Sequence, residues 1–134
     1  MTRPSLRVTS VTIGTAQPHD LAHFYADLLG WPVTAEDPPD PSNPVRGGWA
    51  QIRPPEGEAG PTLNFEYELH FRRPVWPSVP GEQTASQHLD VWVDDLDASV
   101  EWAVARGATL ADFQPQDDVR VLFDPSGHPF CLFR

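Results

Sequence analysis

Cysteine is nearly missing from this chain: the single thiol of Cys131 in 134 residues leaves no internal disulfide and no paired-cysteine zinc motif to build on. Long apolar runs are missing too. The uninterrupted apolar stretches are a few residues each, far short of the roughly 20 that span a bilayer, and the opening MTRPSLRV has no apolar signal core. The expectation is therefore a protein without a membrane anchor, cytoplasmic and unprocessed. Basic residues are scarce. Nine Lys and Arg against nineteen Asp and Glu leave a formal charge of −10, which repels a phosphate backbone and offers no basic stripe to nucleic acid. The same charge attracts a cationic ligand over long range, although an acidic surface also serves plain solubility. The nucleophile elbow and the phosphate-binding loop are absent as well, which removes several enzyme classes.

What is present suits one domain, residues 1–134, because a chain of that length can bury roughly two-thirds of its unfolded surface without a disulfide or a structural metal. Sixteen prolines and nine glycines are gathered mainly in three places, Asp37–Pro44, Pro54–Pro61 and Pro74–Gly81. They read as loops between strands. Arg7–Thr15 alternates Val11 and Ile13 against Ser10, Thr12 and Gly14, the period of a strand with one apolar face. A helix follows over Pro18–Leu29, where Leu21, Phe24, Tyr25, Leu28 and Leu29 form one face, Pro18 suits the first turn and Gly30 the cap. Strands are expected at Trp31–Ala35, Gly48–Arg53 and Thr62–His70. The order then repeats: a strand at Ser86–Val93, a helix capped by Asp94 or Asp95 and ended by Gly107, and strands at Ala108–Asp112, Val119–Phe123 and Pro129–Phe133. Leu96, Val100, Ala103 and Val104 are the expected apolar stripe of the second helix. Gly30-Trp31 corresponds to Gly107-Ala108, and the chain reads as an internal duplication with modules at about 6–71 and 84–134 joined by a proline-rich loop, 72–83.

Three stretches carry a family resemblance. SVTIGTAQPHDLAHFYADLLGW resembles the opening of vicinal-oxygen-chelate domains, the glyoxalase, bleomycin-resistance and extradiol-dioxygenase superfamily. HLDVWVDDLDASVEWAVARGA resembles the opening of their second module and VLFDPSGHPFCLF their closing hairpin, as in the divergent glyoxalase-like group. The resemblance implies an α+β fold of two βαβββ modules curled around a cleft, with up to four metal ligands projecting into it. Carried over position by position, the ligand sites fall at Ser10 and His88 on the opening strands and at Glu66 and Cys131 on the final ones. Family ligands are His or Gln on the opening strands and Glu on the final ones, so Ser10 and Cys131 depart from the pattern. A catalytic ion wants three firm protein ligands and an open position. Any metal here would rest on Glu66, His88 and Cys131, and Cys131 stands in an apolar strand where a buried inert thiol is the usual outcome. No cofactor is expected.

Strand parity places His88, Asp90 and Trp92 on one face, and Asn64, Glu66 and Glu68 on one face of the strand ending the first module. If the apolar faces pack on the helices, these polar faces line the cleft, His88 and Glu66 approach each other, and Phe65 and Val91 turn to the core. A histidine beside carboxylates is an acid/base pair in an enzyme and a hydrogen-bonded network in a scaffold. Trp49, Trp76, Trp92 and Phe130 can wall a flat or cationic ligand, or serve packing. Trp76 lies in Arg72-Arg73-Pro74-Val75-Trp76-Pro77, a stiffened loop between the modules and a candidate lid, with Arg72 and Arg73 free to pair with an anion. His128 reads as a turn residue.

Two functions follow from the sequence. One is a binding protein that holds a small metabolite or antibiotic with Ser10, Asn64, Glu68, Trp76, Asp90, Trp92, Phe130 and Cys131. The other is an enzyme of the same superfamily, a metal-dependent lyase, isomerase or dioxygenase, or a metal-free catalyst using His88 and Glu66. Fold alone does not separate them. A homodimer is expected from the family's habit of pairing modules.

Overall fold

A computed structural model describes residues 1–134. The first half runs β1 (Ser10–Thr15), α1 (Pro18–Leu29), β2 (Val33–Asp37), β3 (Trp49–Ile52) and β4 (Thr62–Tyr67). The second repeats it as β5 (Leu89–Trp92), α2 (Leu96–Ala105), β6 (Thr109–Leu110), β7 (Val119–Phe123) and β8 (Pro129–Phe133). Two four-stranded sheets result, in the orders β1-β4-β3-β2 and β5-β8-β7-β6. In each, the opening strand lies parallel to the closing one and every other pair is antiparallel. The α+β fold of two βαβββ modules is thus the fold of the chain. No helix is long and apolar enough to cross a membrane.

The two helices end alike. Gly30 takes a left-handed φ of 70°, and the N–H groups of Gly30 and Trp31 both donate to Ala26 O. At the end of α2, Gly107 has φ 111° and Ala108 N–H donates to Ala103 O at 3.1 Å. A glycine enters this region without the steric cost a Cβ brings, and the capping N–H groups pair with Ala26 O and Ala103 O in the last turns.

The helices differ in what they bury. Leu21, Phe24 and Tyr25 of α1 are all at most 5% exposed. Tyr25 stacks on Phe65 of its own sheet at 5.7 Å and meets Phe130 of the other edge-on at 6.0 Å, the same distance that separates Phe24 from Phe130. One helix therefore serves both modules. From α2 only Ala103 is buried, with Leu96 and Val100 partly covered. Val104, expected on the apolar stripe, is 47% exposed. The aromatic rings of α1 already fill the shared interior, so α2 covers its sheet with a narrower strip.

A polar joint fastens the modules behind this core. Tyr25 Oη–H donates to Asp124 Oδ2 at 2.7 Å. Asp124, 1% exposed, accepts at Oδ1 from the N–H groups of Ser126 at 2.9 Å and His128 at 3.0 Å. The hydroxyls of Thr15 and Ser126 meet at 2.6 Å, and His128 Nε2 bonds Gly14 O at 2.7 Å. Burial, and then the neighbouring Asp124, push the Tyr25 phenol well above its ordinary pKa, which keeps it the donor. His128 does close a turn, as read from the sequence, but it is buried and spans the joint.

Candidate functional site

The best candidate is the face of the second sheet turned away from the helices. β5 packs Leu89 and Val91 against the core and, by the alternation of a strand, turns His88, Asp90 and Trp92 outward. Trp92 is 65% exposed. In register, Asp90 sits beside Cys131 and Trp92 beside Phe133, with Val121 and Val119 next along on β7. His88 Nε2 lies 3.4 Å from Asp90 Oδ1, and the donor atoms of His88, Asp90 and Cys131 all fall within 4.8 Å of one another. Burial, followed by the charge of Asp90, raises the Cys131 pKa, so the sulfur is held as a thiol.

The loop between the modules reaches the same face. Trp76, half-buried, tilts against Phe113 at 5.9 Å and meets Phe123 edge-on at 6.3 Å. Phe123 lies two residues along β7 from Val121, the register partner of Cys131, and so shares its side. The result is an aromatic surface of Trp76, Trp92, Phe113, Phe123 and Phe133 around one histidine, one carboxylate and one thiol.

Phe130 does not belong to it. Expected on the cleft, it is fully buried between Phe24 and Tyr25. The reason is parity: adjacent residues of a strand point to opposite faces, so with Cys131 outward Phe130 faces the core.

The first sheet presents a different, polar surface. Asn64 Oδ1 accepts from Gln51 Nε2 at 2.9 Å. Glu66 pairs in register with Gly14 and Trp49, and with Trp49, Tyr67 and Arg46 it lines a cavity of about 540 Å³. The Ser10 hydroxyl bonds that of its neighbour Thr9, at 3.3 Å. Glu68 folds over β1, so close that a Cβ on Gly14 would stand 2.6 Å from its Cγ. Of the three expected metal ligands, His88 and Cys131 come together and Glu66 stays outside their cluster. Asp90 takes the third place. Its position two residues from His88 on one strand was the signal for it, whereas nothing in the sequence marked Phe113 or the Tyr25–Asp124 joint.

Comparison with known proteins bears on this geometry. The family described as Glyoxalase-like domain matches residues 10–133. No curated protein matches. Among solved structures, an antibiotic-binding protein, TnmS3, from a Streptomyces species is 21% identical, with 98% of each chain covered and a TM-score of 0.61. A glyoxalase family protein from Enterococcus faecalis is 20% identical, with 96% of this chain and 97% of that one covered and a TM-score of 0.66. A glyoxalase/bleomycin resistance protein/dioxygenase family enzyme from Burkholderia phytofirmans is 19% identical, with 92% and 94% covered and a TM-score of 0.60. At such identities these likenesses speak to the fold. With the family match across nearly the whole chain, they make it a member of the glyoxalase-like domain family, within the vicinal-oxygen-chelate superfamily.

Proposed function

We propose that the protein, acting as one domain, binds a small organic molecule on the aromatic face of its second sheet without transforming it. The observation that carries this reading is Trp92, 65% exposed beside Phe133 and the His88–Asp90–Cys131 group. An exposed apolar surface with a few convergent polar groups marks an interaction site. The net charge of −10 favours a cationic, planar ligand, stacked on Trp92 under a Trp76 lid, with Asp90 or His88 as its polar contact. An antibiotic-binding relative of the same fold is consistent with it.

The donor set fits a catalytic metal poorly. His88 and Asp90 are more than half exposed, Cys131 stands in an apolar strand, and Glu66 lies elsewhere. We therefore propose a protein without a resident metal, in which no step passes through one. We also propose a homodimer.

The test is a thermal-shift screen of cationic aromatic compounds and antibiotics, followed by titration of the best ligand into Trp92→Ala and Trp76→Ala. Either change should weaken binding roughly tenfold or more, from lost stacking and burial together. Unchanged affinity in both variants, or about one zinc, iron, nickel or manganese per purified chain that is lost on His88→Ala, would overturn the reading.

A further inference from the structure

Between the C-terminal ends of α1 and α2 lies a cavity of about 600 Å³ that shares no residue with the aromatic face. Asp27 and Trp31 reach it from the end of α1, Trp102 and Arg106 from the end of α2, and the small side chains of Ala26 and Ala105 leave the room between. It holds one cation and one anion.

The cation is fixed in place. The guanidinium carbon of Arg106 stands 2.9 Å from the centroid of the Trp102 ring, and Nη1–H donates to Trp102 O at 3.1 Å. Trp102 is held in turn: its Nε1–H donates to Leu28 O of α1 at 3.1 Å, while the residue stays 49% exposed. Nε and Nη2 of Arg106 make no hydrogen bond and are not shut off from solvent. No carboxylate pairs with the charge, the two ion pairs of the structure being His23–Glu36 and His88–Asp90. Nε and Nη2 form one edge of the guanidinium fork, the edge that takes both oxygens of a carboxylate, and stacking has already removed much of the side chain's freedom.

The anion stands where local physics disfavours it. Asp27 is exposed, unpaired and in the last turn of α1, and no basic residue of that turn offsets it. A carboxylate there meets the negative end of the helix dipole. Residues that break a local rule without a local gain gather at functional sites. Together, Asp27 and the end of α1 attract a positive group. Two opposite charges thus line one cavity without satisfying each other.

We propose that this cavity binds a free α-amino acid with a large apolar side chain. The free edge of Arg106 takes the α-carboxylate as a bidentate pair, and Asp27 with the end of α1 takes the α-ammonium. The side chain lies against Trp31 and Ala105. A molecule that carries only one of the two charges leaves the opposite receptor group unmatched and is discriminated against. The cavity is of the size that small-molecule sites have.

The experiment titrates L-phenylalanine, phenylalaninamide and 3-phenylpropionate into the full chain at mildly acidic pH and constant ionic strength, following the indole N–H of Trp102 by NMR. Saturable binding of L-phenylalanine is expected, with the Trp102 resonance shifting, and the amide and the deaminated acid should each bind at least tenfold more weakly. Asp27→Asn, a change at an exposed side chain, should weaken L-phenylalanine at least tenfold and bring it level with 3-phenylpropionate. Arg106→Gln should bring it level with phenylalaninamide instead. Asp20→Asn takes the same charge from the other end of α1 and should change nothing, and neither should Trp92→Ala on the aromatic face. Equal affinity for the three probes, equal losses in Asp27→Asn and Asp20→Asn, or a Trp102 resonance unmoved by L-phenylalanine would each overturn the proposal. Loss of binding in Trp92→Ala would overturn it too, by moving the ligand to the aromatic face, so the two sites are judged apart.

Discussion

Asp124 carries a carboxyl group to a place that water does not reach, and its surroundings show both why it is tolerated and how it titrates. Burial raises its pKa above the usual carboxylate value, while the Tyr25 hydroxyl, the charge of His128 and the N–H groups of His128 and Ser126 oppose that rise without cancelling it. The folded state thus holds the proton more tightly than the unfolded chain does. The stability linked to this group is full below the ordinary carboxylate pKa and is lost as pH climbs through the raised folded value. In Asp124→Asn that slope should flatten, since the amide keeps an oxygen for the two N–H groups and cannot ionise. Urea unfolding across the acid range checks it, and a slope that survives in Asp124→Asn would assign the effect to another group. Asp124→Ala should cost about 2–3 kcal/mol in the acid range, because it strands a buried phenol and two buried N–H groups, and less as pH climbs, since the variant has no group there to ionise. None of this was legible in the sequence beyond the turn DPSG, because the Tyr25 partner lies 99 residues away.

The elements divide into those held by neighbours and those held by their own ends. α1 has no side-chain cap at Gln17 and relies on Pro18 and on its buried aromatic face. α2 buries little and depends on Asp95, whose Oδ1 accepts from Ala98 N–H at 3.0 Å. Asp95→Ala should therefore lower stability by about 1 kcal/mol, and Gln17→Ala should have almost no effect. Paired denaturation curves decide it, and equal costs would show that α2 is held by packing after all. The same division explains which boundaries could be read in advance. α1, β7 and β8 begin and end as expected because Pro18, Gly30 and the DPSG turn punctuate them. β5 and β6 are shorter than the periodic segments that contain them, Ser86–Val93 and Ala108–Asp112. Each is an edge strand bonded on one side only, to β8 and β7 respectively, so alternation continues past the point where a partner is available. Parity within a strand was also legible, and it put His88, Asp90 and Trp92 on one side. The placement of one sheet against the other was not, which is why Glu66 was expected beside His88: no local pattern encodes how two modules meet.

For the molecule as a whole, charge and apolar exposure pull in opposite directions. A formal charge of −10 keeps copies apart, yet Trp92, Phe113, Leu69 and Val11 are 65%, 54%, 44% and 37% exposed. If the proposed dimer covers these groups, its association should strengthen with salt, since screening removes repulsion and leaves the apolar contact. Sedimentation at low and high salt should show a mass of twice 14.9 kDa, more completely at high salt. A mass of one chain under both conditions would contradict it.

The sharing of α1 between the modules has a consequence for synthesis. Of the 15 residues in the buried cluster, all but Ala103, Ala108, Leu122, Phe130 and Leu132 precede the second module. The half emerging first from the ribosome therefore holds most of the interior on its own. It cannot close that interior, because Phe24 and Tyr25 wait for Phe130 on β8, the last strand of the second module. Until the second module has emerged, the nascent protein presents two aromatic rings, one of them a phenol without its carboxylate, the surface a chaperone would recognise.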